Sequence, residues 1–213
     1  LIRQLRERAA TIWQTDVEHV RYEGGTLTST ADPEKKLTFK ELAEQILRTG
    51  APIVGRGVAA PAGAGSAFST QICDVEVDPE TGKDEILRYT VVQDAGTAIH
   101  PAYVEGQMQG AAAQGVGWAL NEEYFYDEAG RMVNASYLDY RMPTTLDVPL
   151  IETIIVEVPN PGHPYGVRGV GEVPIVPPMA AVANAVYRAT GTRFRDLPIS
   201  PGRILEATLG IHD

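Results

Sequence analysis

Between Pro101 and Leu120 the chain carries a helical pattern in which the small residues Gly106, Gly110, Ala113 and Gly117 recur at spacings of four, three and four. One stripe of that helix has no large side chain. Each glycine lowers helix propensity by up to about 1 kcal/mol relative to alanine, so close approach to another backbone or to a ligand is the expected compensation. A fold for this chain must therefore offer this helix a surface to lie against.

The flanking patterns supply such surfaces. Phe68 to Asp78 alternates apolar and polar, Pro79 to Lys83 holds turn residues, and Ile86 to Val92 is strand-like, which predicts a long hairpin. Ile151 to Val158 reads as a buried strand, and Glu122–Tyr126 with Met132–Val133 across the Asp127–Gly130 turn as a second, shorter hairpin. Helices are expected from Pro178 to Ala189, closed by Gly191, and from Pro201 onward. In the first third, Leu1, Ile2, Leu5, Ala9, Ile12 and Trp13 mark an amphipathic helix to about Gln14. Val17–Glu23 and Thr26–Thr28 flank Gly24-Gly25 as a small hairpin, and Thr38 with Glu41 forms a capping-box pattern for a helix ending near Thr49. Gly55 to Gly65, rich in Gly, Ala and Pro, is a linker or a loop laid against something. Strands and helices interleave without a regular βαβ repeat, so the fold class is α+β with mixed or antiparallel sheets, as one domain or as two lobes of about 1–66 and 67–213.

Composition narrows the function classes. With 44% hydrophobic residues the chain can bury a real core. A formal net charge of −10, with no Lys/Arg cluster, speaks against nucleic acid and anionic lipid as partners. No apolar run approaches a membrane span and no signal-peptide core is present at the N-terminus, so a soluble, cytoplasmic protein is expected. The start at Leu1, inside a charged amphipathic pattern, suits a beginning within a larger polypeptide. Cys73 has no partner cysteine and reads as a small buried residue, and His19, His100, His163 and His212 lack metal-ligand spacing, so no protein-ligated metal is expected. Ser66, Ser69 and Ser136 have no nucleophile-elbow context.

The segment from Pro159 to Glu172 sets four glycines and a carboxylate between a strand and a helix. Glycines allow backbone amides to approach a bound group, and a helix start adds partial positive charge. Local spacing leaves two readings of Glu172 open: a loop carboxylate with a chemical role, or a surface residue that favours the nearby helix start.

Three blocks in order carry a family resemblance. Val91-Val92-Gln93-Asp94-Ala95-Gly96-Thr97-Ala98-Ile99-His100-Pro101 leads to Gly106-Gln107-Met108-Gln109-Gly110 and Gln114-Gly115-Val116-Gly117. Gly169-Val170-Gly171-Glu172 follows with Pro174 and the helix containing Ala180 to Ala185, and then Asp196-Leu197-Pro198. Over roughly Phe68 to Leu209 this pattern resembles the C-terminal part of the molybdenum-binding catalytic subunit of the xanthine dehydrogenase and aldehyde oxidase family, and the first third is compatible with it. The resemblance implies an oxidoreductase that uses molybdenum-molybdopterin and water to oxidise a small-molecule substrate, an aldehyde or N-heterocycle. It implies Glu172 as the base that takes a proton from the cofactor's hydroxyl ligand, Gln107 as a cofactor contact with Gln114 as a weaker second, and Val170 and Gly171 as backbone contacts. Arg168 would meet an anionic substrate or the pterin phosphate, or else be solvated or salt-bridged.

The family's catalytic subunit is several times longer, and its N-terminal half carries a glycine-glutamine-glycine cofactor loop and an arginine-containing substrate loop that have no counterpart here. The resemblance thus implies partners: the remainder of the molybdopterin-binding subunit, and iron-sulfur and flavin subunits or domains. Two roles remain, a part of an oxidoreductase that is inactive alone, or a non-catalytic module acting in assembly or binding; the intact Gly171-Glu172 pair favours the first.

Overall fold

The computed structural model describes residues 1–60, 63 and 65–210, and its contacts divide it into two units, Leu1–Ala60 and Pro61–Asp213. In the first unit, α1 (Ile2–Trp13) is followed by a 3-10 turn at Val17–His19 and a three-stranded antiparallel sheet of β1 (Val20–Glu23), β2 (Thr26–Ser29) and β3 (Lys36–Thr38). Helix α2 (Phe39–Thr49) closes it. The expected strand from Val17 starts at Val20 instead, and β3 is too short for alternation to reveal it. Leu5, Ala9 and Ala10 of α1 bury against Val20, Leu27 and Leu42. The capping box forms: Thr38 Oγ1 accepts from Glu41 N (3.2 Å) while Glu41 Oε2 accepts from Thr38 N (2.8 Å). These bonds from Thr38 hold the Glu41 carboxyl below its ordinary value.

The second unit is built on β4 (Ser69–Val77), β5 (Asp84–Asp94) and β6 (Ile151–Val156), in that spatial order. β4 and β5 form the expected antiparallel hairpin, whereas β6 runs parallel to β5, from Tyr89 opposite Ile151 to Asp94 opposite Val156. The sheet is mixed and the fold α+β. Helices α3 (Pro101–Leu120), α4 (Pro178–Thr190) and α5 (Pro201–Leu209) complete the unit. Met108, Ala112 and Val116 of α3, at helical spacing, meet Tyr89 and Val91 of β5 and Val182 and Val186 of α4 in one core. His100 opens α3: its Nδ1 accepts from Tyr103 N (3.4 Å) and its ring stacks on that of Tyr103.

Several expectations are corrected. The expected buried strand is only half covered: Ile151 is buried and Thr153 and Ile155 are half-buried, while Glu152, Ile154 and Val156 on the opposite face are exposed, since successive side chains of a strand point to opposite faces and one face of β6 is open. The Glu122–Val133 hairpin shrinks to one bridge, Tyr126 to Met132, with Phe125, Tyr126 and Val133 all exposed, so no apolar face supports a ladder. Buried Asn134 ties its base instead, accepting from Phe125 N (2.9 Å) and donating to Glu123 O (2.7 Å). The small-residue stripe of α3 divides: Gly106 and Gly110 face open space, while a Cβ at Gly117 would strike Glu122 and Pro143. The tight helix crossing lies at Gly115, whose Cβ would come 2.6 Å from Pro178 Cγ and 2.9 Å from Ile175 O. The contact division lies between residues 60 and 61; Gly65 lies against Asn160, and the Ser66 carbonyl accepts from Arg168.

Candidate functional site

Side-chain amides from two neighbouring strands hold the backbone on either side of Glu172. From β5, Gln93 Nε2 donates to Gly169 O (3.3 Å) and Val170 O (3.4 Å). From β4, Gln71 Nε2 donates to Pro174 O (2.7 Å), and Gln71 Oε1 accepts from the Tyr89 hydroxyl (2.5 Å). Burial raises the Tyr89 phenol above its ordinary value, so it remains a donor. Gln93 is 1% exposed and its Oε1 has no partner among the described residues.

The approach to this segment is pinned as well. Gly96 and Val167 form an antiparallel bridge, Arg168 N donates to Ala95 O (3.1 Å), and Gly166 O accepts from Thr97 N (3.0 Å) and Asn160 N (2.9 Å). Gly96 has φ +67°, and a Cβ there would run into Gly166 O, so both its backbone conformation and the close strand crossing require glycine. Tyr165, with φ 59°, makes the preceding turn in the left-handed region.

The structure brings two of the residues expected from the sequence together, Gln107 and Gly171, with Glu172 next in the chain. Gln107 on α3, Gly171 and Glu172 are all exposed. A Cβ on Gly171 would stand 3.1 Å from Gln107 Nε2, so the absent side chain lets the amide reach the Gly171 backbone. Gln114 is also exposed, further along α3. Val170 is half-buried and packs on the main core. Glu172 does not sit at a long helix start: a 3-10 turn at Val173–Ile175 follows it, and α4 begins only at Pro178. Glu172 is the N-cap residue of that 3-10 turn and makes no side-chain cap hydrogen bond.

Arg168 points elsewhere. Its Nε pairs with Asp94 Oδ2 at 2.9 Å with both side chains 13% exposed, the same Nε donates to Val158 O (3.2 Å), and Nη1 donates to Ser66 O (2.5 Å). Releasing it would leave a nearly buried carboxylate unpaired, at a cost of about 3–5 kcal/mol, against about 1.5–3 kcal/mol for a new charged hydrogen bond. The salt-bridged alternative is the one this geometry favours over an anion contact. Sequence reading missed Gln71, Gln93 and Asp94 as anchors; Gln93 and Asp94 directly follow the apolar Val91-Val92 of β5, whereas Gln71 sits in an alternating strand that gives no such signal.

His19, His100 and His163 are exposed, and His212 lies outside the described residues. No group of three or more His, Cys, Asp or Glu side chains able to hold a metal ion occurs among the described residues. Among them, no helix is long and apolar enough to cross a membrane.

Comparison with known proteins gives a consistent set of relatives. The family described as molybdopterin cofactor-binding domain matches residues 1–149, which includes the first third and ends before the Gly169–Glu172 loop. A xanthine dehydrogenase molybdenum-binding subunit of Escherichia coli is 41% identical over 141 residues, covering 66% of this chain and 19% of the relative. The carbon monoxide dehydrogenase large chain of Afipia carboxidovorans is 35% identical over 162 residues, covering 74% of this chain and 20% of the relative. Among solved structures, quinoline 2-oxidoreductase from Pseudomonas putida matches with a TM-score of 0.81 and 30% identity, covering 97% of this chain and 28% of that one. The chain spans about a fifth of the length of these curated relatives.

Proposed function

This chain belongs to the molybdopterin cofactor-binding family of molybdenum hydroxylase catalytic subunits, and from that premise we propose that it supplies one wall of the cofactor site together with the general base, Glu172. The observation that carries this reading is the ledge of Gln107, Gly171 and Glu172, open to solvent and held between carbonyls anchored by Gln93 and Gln71. The residues fit a large polar group: the Gln107 amide stands against the Gly171 backbone, which has no Cβ, the exposed Glu172 follows Gly171 in the chain, and Gly106 and Gly110 next to Gln107 leave open space.

When bound, molybdenum-molybdopterin supplies the two-electron oxidant and polarises the oxygen that is transferred to substrate. Glu172 would serve as the base, holding a proton at a carboxylate oxygen. The Pro174 carbonyl, held by Gln71, anchors the backbone that follows Glu172 and limits the reorganisation that its carboxylate needs. Gln107 both donates and accepts and orients the group beside Gly171; Val170 and Gly171 contribute backbone. The oxygen comes from water and the substrate is an aldehyde or N-heterocycle. Because one wall leaves most of a ligand wet, turnover requires the remainder of the catalytic subunit, with iron-sulfur and flavin partners to carry electrons away.

The test is Glu172→Gln in the complete catalytic subunit, which keeps shape and hydrogen bonding but cannot take up the proton. Turnover per bound molybdenum falls by on the order of 100- to 10,000-fold with cofactor content unchanged. A rate per molybdenum within a few-fold of the parent overturns the assignment.

A further inference from the structure

We infer that Arg168 and Asp94 act as a positioning pair for Glu172, fixing the loop that carries it rather than meeting substrate or cofactor; this rests on the reading of Glu172 as the base. Arg168 joins three segments that are far apart in sequence: Asp94 at the end of β5, Val158 just past β6, and Ser66 just before β4. The second oxygen of Asp94, Oδ1, accepts from Gly96 N (2.8 Å) and Val158 N (3.2 Å), so one carboxylate fixes the turn leaving β5, the exit of β6 and the guanidinium together. Acceptors in several directions call for the planar, multi-donor fork of arginine, which a lysine ammonium on a flexible stem does not reproduce.

The need for such a pair follows from what lies between Arg168 and Glu172. Gly169 and Gly171 leave that stretch free to rotate, so the position of the Glu172 carboxylate depends on the anchors at its ends. Downstream the anchor is Gln71 on Pro174 O. Upstream, the contacts of Gln93 with Gly169 and Val170 are long, at 3.3 and 3.4 Å; the backbone is held at Val167 and Arg168 by the bridge to Gly96 and the bond to Ala95, and the ion pair is the firm side-chain attachment there. Gly65 permits the chain before β4 to reach the pair, since a Cβ there would stand 2.9 Å from Arg168 Nη1.

The experiment compares R168K, R168M and D94N with E172Q in the complete, cofactor-loaded catalytic subunit. It reads amide hydrogen exchange in the peptide from Gly169 to Pro174, molybdenum per subunit, and kcat and KM per bound molybdenum. For R168M and D94N, exchange in that peptide accelerates while the α3 peptide is unchanged, molybdenum content holds, and kcat falls about 10- to 100-fold with KM nearly constant, as a displaced base requires. R168K lies between these and the parent. A uniformly faster exchange with normal kcat per molybdenum would mean a purely structural pair and overturns the proposal, as does unchanged exchange in Gly169–Pro174. Should R168M not fold, D94N, which keeps the side-chain shape and replaces the charge and one acceptor oxygen by an amide, decides on the same two readouts. An E172Q protein with parental turnover sinks the base assignment itself, while the exchange data still report whether the pair holds the loop.

Discussion

Gln71 on β4 joins Tyr89 to Pro174: it accepts the tyrosine hydroxyl at 2.5 Å and donates to the proline carbonyl at 2.7 Å, two residues past Glu172. Substituting Gln71→Leu leaves a fully buried hydroxyl and a partly buried carbonyl without partners. Each costs about 1–3 kcal/mol, so unfolding in urea should show a loss of roughly 2–6 kcal/mol. A loss below about 0.5 kcal/mol would mean that water replaces the amide.

Thr38→Ala removes the side-chain acceptor for Glu41 N at the start of α2 and dismantles the capping box. The expected loss is about 1 kcal/mol. Exchange of the first amides of α2, measured alongside thermal unfolding, should rise in the variant, and unchanged protection there would contradict the geometry.

Two glycines with similar positive φ should respond differently to alanine. Gly130 (φ +74°) meets nothing within 4 Å, so Gly130→Ala carries only the left-handed penalty of about 1 kcal/mol. At Gly96 (φ +67°) the added methyl also collides with the Gly166 carbonyl, a backbone atom that cannot swing away. Gly96→Ala should therefore cost several times more. Equal melting temperatures for the two variants would be incompatible with the crossing described.

Cys73 should be a slow nucleophile in the folded chain. Burial first, then the charges of Asp74 and Asp84, push its thiol from 9.0 up to about 12. At pH 8 alkylation should run about a thousandfold slower than for a free thiol, from thiolate fraction alone. The linked stability has a definite sign: it is complete below about pH 9 and is lost as pH rises toward 12, because in that window only the unfolded chain releases the proton. Comparing the parent with Cys73→Ala from pH 8 to 11 isolates this contribution, and parallel stability curves would deny it.

Local chemistry was legible where one segment contains its own cause. Thr38 and Glu41 are three residues apart and announce α2; Pro101 and the apolar period fix α3; alternation on both sides of Pro79–Lys83 fixes the β4–β5 hairpin. Features that depend on remote partners were not. Nothing near Ile151 states that it will lie parallel to Tyr89, and nothing near Arg168 names Asp94. The stripe of Gly106 to Gly117 calls for another backbone or a ligand without saying which; within the chain the tight crossing is at Gly115, because which glycine is covered depends on where Pro178 and Ile175 arrive. Gln107, Gly171 and Glu172 were picked out from motif resemblance, and only folding shows that the first two are neighbours in space.

The order of strands in the mixed sheet also sets an order of events during synthesis. β4 and β5 are joined by a short turn and can pair as soon as both have left the ribosome, but β6 cannot add its parallel edge until residues 95–150 have followed. Such a non-local pairing is the slow step of an α+β unit. Gln71 and Gln93 ride on the early hairpin, while the carbonyls they receive, at Gly169, Val170 and Pro174, emerge after β6. A nascent chain halted before Pro174 would thus present a finished hairpin whose two amides still bond to water, and the loop bearing Glu172 would be among the last parts of the molecule to acquire its shape.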